Sequence, residues 1–79
     1  MFIVKIYHLD CSSYKIDDVE VKVFDTLEKS EKYVVNKHWE IDWDNNNTDL
    51  ELDEYLEQFS LNDIKDKLYD TFDYEIIEG

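Results

Sequence analysis

Between Lys37 and Lys65 this chain places no Lys or Arg. The span from His38 to Ile64 carries Glu40, Asp42, Asp44, Asp49, Glu51, Asp53, Glu54, Glu57 and Asp63 instead. Like charges packed together repel and destabilise a compact state, so an ordinary surface mixes both signs. Here they stand uncompensated, and they are the first constraint on the fold. Three consecutive asparagines, Asn45, Asn46 and Asn47, interrupt the span, and Trp39 and Trp43 stand at its entrance. No catalytic motif competes with this segment elsewhere.

Periodicity on either side of the asparagines supplies the helices. Leu27, Val34, His38 and Ile41 fall on one stripe at helical spacing, with Tyr33 and Val35 flanking it. That helix starts at Asp25 or Thr26, where Asp25-Thr-Leu-Glu28 has the form of a capping box, and is expected to end near Glu40. The asparagines read as a loop, since Asn competes with helical hydrogen bonds and tolerates left-handed backbone. Thr48 or Asp49 can cap the next helix, in which Leu52, Tyr55, Leu56 and Phe59 follow the i, i+3, i+4, i+7 pattern. Ser60, with Asp63 three residues on, begins a third short helix carrying Leu61, Ile64 and Leu68.

Strand signals lie at the two ends. Phe2 to Leu9 alternates, with Phe2, Val4 and Ile6 on one side. Val19 to Phe24 sets Val19, Val21 and Val23 against Glu20 and Lys22, and the two segments most simply pair antiparallel. Thr71 to Glu78 places Phe72, Tyr74 and Ile76 on one face. The expected architecture is a single α+β domain over residues 1–79, in the order β-β-α-α-α-β. A small antiparallel sheet carries about three helices. Phe2, Val4, Val21, Leu56 and Leu68 are expected to be buried.

Composition narrows the functional classes. Twelve aromatic residues in a chain of 79 argue for a packed core over a disordered acidic tail. A formal charge of −13 disfavours direct binding to nucleic acid or an anionic membrane, which attract basic surfaces. A basic protein, or cations, fit better. The single cysteine, Cys11, reads as a loop thiol, and the spacing of His8, Cys11 and His38 does not ask for zinc. The Met1-Phe-Ile-Val-Lys-Ile start alternates with charge too soon for a signal peptide, and no apolar run reaches membrane length, so a cytoplasmic location is expected. No cofactor motif is present. Carboxylate pairs are too abundant to single out an acid–base couple, and the chain is expected not to be an enzyme.

The acidic helix carries the functional reading. With Leu52, Tyr55, Leu56 and Phe59 facing inward, Asp49, Asp53 and Glu57 form a stripe at i, i+4, i+8, and Glu51 and Glu54 occupy the remaining outer surface. Like-charge neighbours at these spacings cost roughly 0.2–0.5 kcal/mol each, about 1–2 kcal/mol together. One carboxylate per ~6 Å of stripe is sparser than a phosphate every ~3.4 Å along a DNA strand. Two stripes with Glu40, Asp42 and Asp44 beside them bring the density close. In these carboxylates the chain resembles, at the level of a class, the small acidic phage-encoded inhibitors that mimic DNA, including anti-CRISPR and anti-restriction proteins. That resemblance implies a basic, nucleic-acid-handling partner such as a CRISPR nuclease, held through Glu40, Asp42, Trp43, Asp44, Asp49, Glu51, Asp53, Glu54 and Glu57.

Two other readings use the same segment. A non-mimic interaction protein, such as an antidote or assembly factor, would bind through its aromatics or a sheet edge. A degenerate EF-hand-like loop would place Asp42, Asp44, Asn46, Thr48 and Asp53 at positions 1, 3, 5, 7 and 12. Against that loop, Asn47 replaces the turn glycine and Asp53 replaces the bidentate glutamate.

Overall fold

Alternation in the first strand sets the core. In a computed structural model describing residues 1–10 and 12–79, β1 (Phe2–Leu9) turns Val4 and Ile6 inward, and both are completely buried. β2 (Ile16–Phe24) and β3 (Phe72–Glu78) flank β1, each antiparallel to it, giving the order β2-β1-β3. Between β2 and β3 the chain forms α1 (Leu27–Asp44), α2 (Leu52–Gln58) and α3 (Leu61–Ile64). The expected β-β-α-α-α-β order is the observed one. Cys11, read from sequence as a loop thiol, lies outside the described residues.

α1 lies across one face of the sheet. Val34 packs with Val4, Ile6 and Phe72, and Ile41, Leu61 and Leu68 close around them. Its other flank receives α2 and α3: Val35 meets Tyr55 and Ile64, with Trp39, Leu50, Leu56 and Phe59 around that second cluster. Burying a Val or Ile side chain contributes about 1.5–3 kcal/mol relative to leaving it in water, so these few side chains dominate a small domain's stability. Phe2, Leu56 and Leu68, expected inside, are half-buried.

Helix ends follow local chemistry more than the expected boundaries. The N-cap of α1 is Thr26, whose hydroxyl accepts from Lys29 N at 3.2 Å, while Asp25 pairs with Lys29 Nζ at 3.0 Å. The capping box read at Asp25 and Glu28 is therefore absent. α1 continues past Glu40 to Asp44, because Ile41 is still on the buried stripe and Asn45 N–H bonds the Ile41 carbonyl at 3.0 Å. At α3 the box read from Ser60 and Asp63 does form, with Ser60 N donating to Asp63 Oδ2 at 2.7 Å.

Val21 corrects the expected core. Cα partners in an antiparallel pair share a face, and Val4 pairs with Lys22 while Ile6 pairs with Glu20. Glu20 and Lys22 therefore stand on the helix side, and Val19, Val21 and Val23 turn away from it, 41%, 53% and 55% exposed. Glu20 is compensated there: it accepts a hydrogen bond from the Tyr33 hydroxyl and pairs with Lys37 at 3.4 Å. The helices thus cover one side of the sheet only.

Candidate protein-binding face

The acidic segment comprises the last turns of α1, the asparagine loop, α2 and α3. Asn45, Asn46 and Asn47 close α1 by donating backbone N–H groups to Ile41, Trp43 and Asp42 carbonyls at 3.0, 3.1 and 2.8 Å. Asn46 adopts φ 58°, left-handed backbone that asparagine tolerates better than most residues. The chain then returns toward α1. Trp39 Nε1 donates to the Leu50 carbonyl at 2.8 Å, and its ring stacks at a tilt on Trp43, 5.4 Å between centroids. Trp39 thus becomes part of the second core cluster, and Trp43, 46% exposed, becomes its outer layer.

Asp42 points inward. Its Oδ2 accepts from the Tyr55 hydroxyl at 2.7 Å, and its Oδ1 accepts from the Tyr69 hydroxyl. Tyr55's only hydroxyl hydrogen goes to Asp42, so its oxygen is left to accept from Nδ1–H of buried His38, 3.0 Å away. Asn47 Nδ2 donates to Tyr69 at 2.6 Å and ties the loop to the same group. Burial, then the bond to the Asp42 carboxylate, raises the pKa of both tyrosines above the ordinary value. Asp42 is thus the centre of a polar network joining α1, the asparagine loop, α2 and the segment after α3. Of the residues expected at the partner surface, it is the one engaged in the interior. As the first ligand of an EF-hand-like loop it is equally committed. Among the described residues no group of three or more His, Cys, Asp or Glu side chains is placed to hold a metal ion.

Glu40 is separated from the rest. It pairs with Lys37 at 3.5 Å, and Lys37 in turn reaches Glu20 on β2. At 100° per residue Glu40 lies about 140° around α1 from Val35, the residue that receives α2. Burial lowers the Lys37 pKa, but Glu40, Tyr33 and Glu20 more than offset it and leave the group above its ordinary value.

Six of the nominated carboxylates remain: Asp44, Asp49, Glu51, Asp53, Glu54 and Glu57 are all exposed. Among the described residues none of the six takes part in an ion pair. Their local energetics differ. Asp53 and Glu54 occupy the first turn of α2, where the helix dipole favours negative charge. Glu51 is its N-cap residue in extended backbone, and Asp49 precedes the helix, so the expected stripe contains only Asp53 and Glu57. Asp44 and Glu57 stand in the last turns of α1 and α2, where no basic residue is present. Negative charge there opposes the dipole by typically 0.3–1 kcal/mol.

Two hollows lie among the helices. One of about 410 Å³ lies between α1 and α2–α3, with Leu27, Val35, Leu56, Phe59 and Leu61 in its wall and Glu28, Glu31 and Lys32 beside them. The other, about 530 Å³, opens over the Asp42 network and is bordered by Thr48, Asp49 and Lys67.

Sequence reasoning missed the network. The signal for half of it was present, because His38 and Asp42 are four residues apart and so share a helix face. The tyrosine hydroxyls that complete it arrive from distant segments, and no local spacing announces them. The chain was compared with protein-family models, curated proteins and solved structures, and none of them matches it.

Proposed function

We propose that this protein binds a basic, nucleic-acid-handling protein and inhibits it by occupying the surface that protein keeps for nucleic acid. The observation that carries the reading is the set of six exposed carboxylates with no ion-pair partner among the described residues, beside a half-exposed tryptophan. Asp44 and Glu57 weigh most. Each stands at the unfavourable end of a helix, where a lysine would stabilise the fold. A charge retained against local stability is what a binding surface requires and a merely solvated face does not. Trp43 supplies the apolar anchor that clusters of charge lack, since tryptophan is enriched among residues that dominate interface energy. The class resemblance to small acidic inhibitors points to a bacterial defence nuclease as the partner.

The test uses the immobilised chain and the variant Asp44→Asn, Asp53→Asn, Glu57→Gln. Basic proteins captured from a bacterial lysate should be eluted by DNA or RNA competitor, and the variant should capture them at least tenfold less well. Loss should fall mainly on the association rate and its salt dependence, because rim charges steer encounter. If the triple variant binds as tightly as wild type at low salt while Trp43→Ala abolishes binding, mimicry is wrong. The protein would then be an interaction module that uses its aromatics.

A further inference from the structure

The first turn of α1 carries a leucine that the fold does not use. Leu27 begins the apolar stripe of that helix, yet it joins neither core cluster and is 46% exposed. The cause is where the other helices dock. α2 and α3 meet α1 at Val35 and leave its earlier flank open. The hollow of about 410 Å³ between them is a groove with exposed Leu27 and buried Val35 on one wall and Leu56, Phe59 and Leu61 opposite. Leu27 and Val35 are eight residues apart, ~12 Å along the axis, or about two turns. An apolar groove of this kind is what an amphipathic helix fills with residues at i, i+3 or i+4, and i+7.

We infer that the groove receives a basic amphipathic helix, its apolar face inside and lysines or arginines along its borders. This rests on the proposed binding of a basic protein, which supplies the helix.

Charge selects that occupant. On the α1 side Glu28, Glu31 and Lys32 stand beside the groove. Glu28 and Lys32 pair with each other at 3.2 Å, whereas Glu31 takes part in no ion pair among the described residues. On the α2 side helical geometry places the charges. Measured from Leu56, buried Tyr55 lies about 100° around the helix in one direction, and Asp53 and Glu57 lie about 60° and 100° in the other. Crossing α2 from the interior therefore passes Tyr55, then Leu56 in the groove wall, then two carboxylates without an ion pair. The two borders together carry four carboxylates and one lysine. An acidic helix would meet repulsion on both sides, and an uncharged one would leave the carboxylates without counter-charge. A second copy of the chain has no basic stripe to offer, since even its longest helix sets five carboxylates against three lysines.

Nuclear magnetic resonance titration of the full chain tests this with three synthetic peptides of about fourteen residues, roughly four turns of helix. The first places leucines at i, i+3, i+4 and i+7 spacing and lysines elsewhere. The second keeps the leucines and exchanges lysine for glutamate, and the third keeps the lysines and exchanges leucine for glutamine. In about 0.15 M NaCl, where the screening length is roughly 8 Å, the leucine–lysine peptide should bind with its largest shift changes at Leu27, Glu31 and Leu56. The other two should bind at least tenfold more weakly. Leu27→Gln, at an exposed position, should keep the wild-type circular dichroism and lose most of its affinity for the first peptide, with no change toward the third.

Equal affinity for the glutamine–lysine peptide overturns the inference, because charge alone would then hold it. Equal affinity for the leucine–glutamate peptide overturns it too, since the groove would not select a basic occupant. So do shift changes centred on Val21 and Val23 of the bare sheet face. Shifts at Leu27 that grow with the protein's own concentration, and vanish in Leu27→Gln, would give the groove to a second copy instead. A failure here leaves the competition by DNA or RNA standing, and a failure there leaves this titration standing, so the two readings fall separately.

Discussion

At the end of α1 the Asp42 carboxylate turns inward and takes hydrogen bonds from two tyrosines, whereas the carboxylates of α2 are exposed and take part in no ion pair among the described residues. Both belong to one run of acidic residues that look alike in sequence. What separates them is the neighbour that tertiary packing delivers. A buried carboxylate is tolerable only when its lone pairs are occupied, and Tyr55 and Tyr69 provide that. An exposed one needs nothing from the protein, so its position is open to selection for something outside it. Asp42 therefore belongs to the fold, and Asp44 and Glu57 belong to the surface.

Removing the inner carboxylate should produce the largest effect. Asp42→Ala leaves the Tyr55 and Tyr69 hydroxyls without their shared acceptor, and hydrogen bonds to a charged group contribute about 1.5–3 kcal/mol each. Because the two act on one group they will not simply add, and a loss of about 2–4 kcal/mol in urea unfolding is expected. For a small domain that is a large share of the total. The asparagine loop should loosen with it, since Asn47 is held by Tyr69. A cost below about 0.5 kcal/mol, the range of ordinary surface changes, would erase the distinction between the two regions.

The pH dependence should show the same division through the tyrosines. Tyr33, Tyr55 and Tyr69 hold their protons more tightly when folded, burial being the leading cause and the hydrogen bond to Glu20 or Asp42 the next. A raised folded pKa gives stability that is complete below the unfolded value of 10.0 and is lost as pH rises toward the folded value. Lys37 adds to the same loss above 10.5. On the acid side Glu20 is depressed below its ordinary 4.5, chiefly by the Tyr33 hydroxyl, so its contribution disappears as pH falls from that value through the folded one. Melting temperature should therefore decline above about pH 10 in wild type, and less steeply in Tyr55→Phe, where one of the raised groups is gone. Equal slopes in the two proteins would remove Tyr55 from the account.

How far the sequence reached depends on whether the deciding contact was local. Val4 and Ile6 were legible because strand alternation and a buried face coincide on β1. The Ser60–Asp63 box was legible because both partners lie within one turn. Val21 was misplaced because the alternation of β2 fixes two faces without saying which is inner. β1 decides that through its register, and Glu20 is paid for on the inside by Tyr33 and Lys37. The acidic surface was read correctly as mostly exposed. Asp42 left that set through the hydroxyls of Tyr55 and Tyr69, both remote in sequence, whereas Glu40 stays exposed and pairs with Lys37 three residues before it.

The smallest expected effect has the opposite sign, which makes it the sharper discriminator. Glu57 sits four residues after Asp53 and three after Glu54, in the last turn of a helix with no basic residue there. Glu57→Gln relieves two like-charge neighbours, each costing roughly 0.2–0.5 kcal/mol, and lightens the conflict with the dipole. Its side chain is exposed, so little packing is disturbed. The variant should be more stable than wild type by about 0.5 kcal/mol, large enough to read as a shift of a few degrees in a domain this small. High salt should erase most of the gain, because the repulsion it removes is screened. The variant should also bind a basic partner less well. Stability gained and affinity lost on one neutral substitution is the signature of a charge kept for binding. If Glu57→Gln instead destabilises the protein, then Glu57 has a structural partner, and the outer carboxylates cannot be set apart from Asp42 on these grounds.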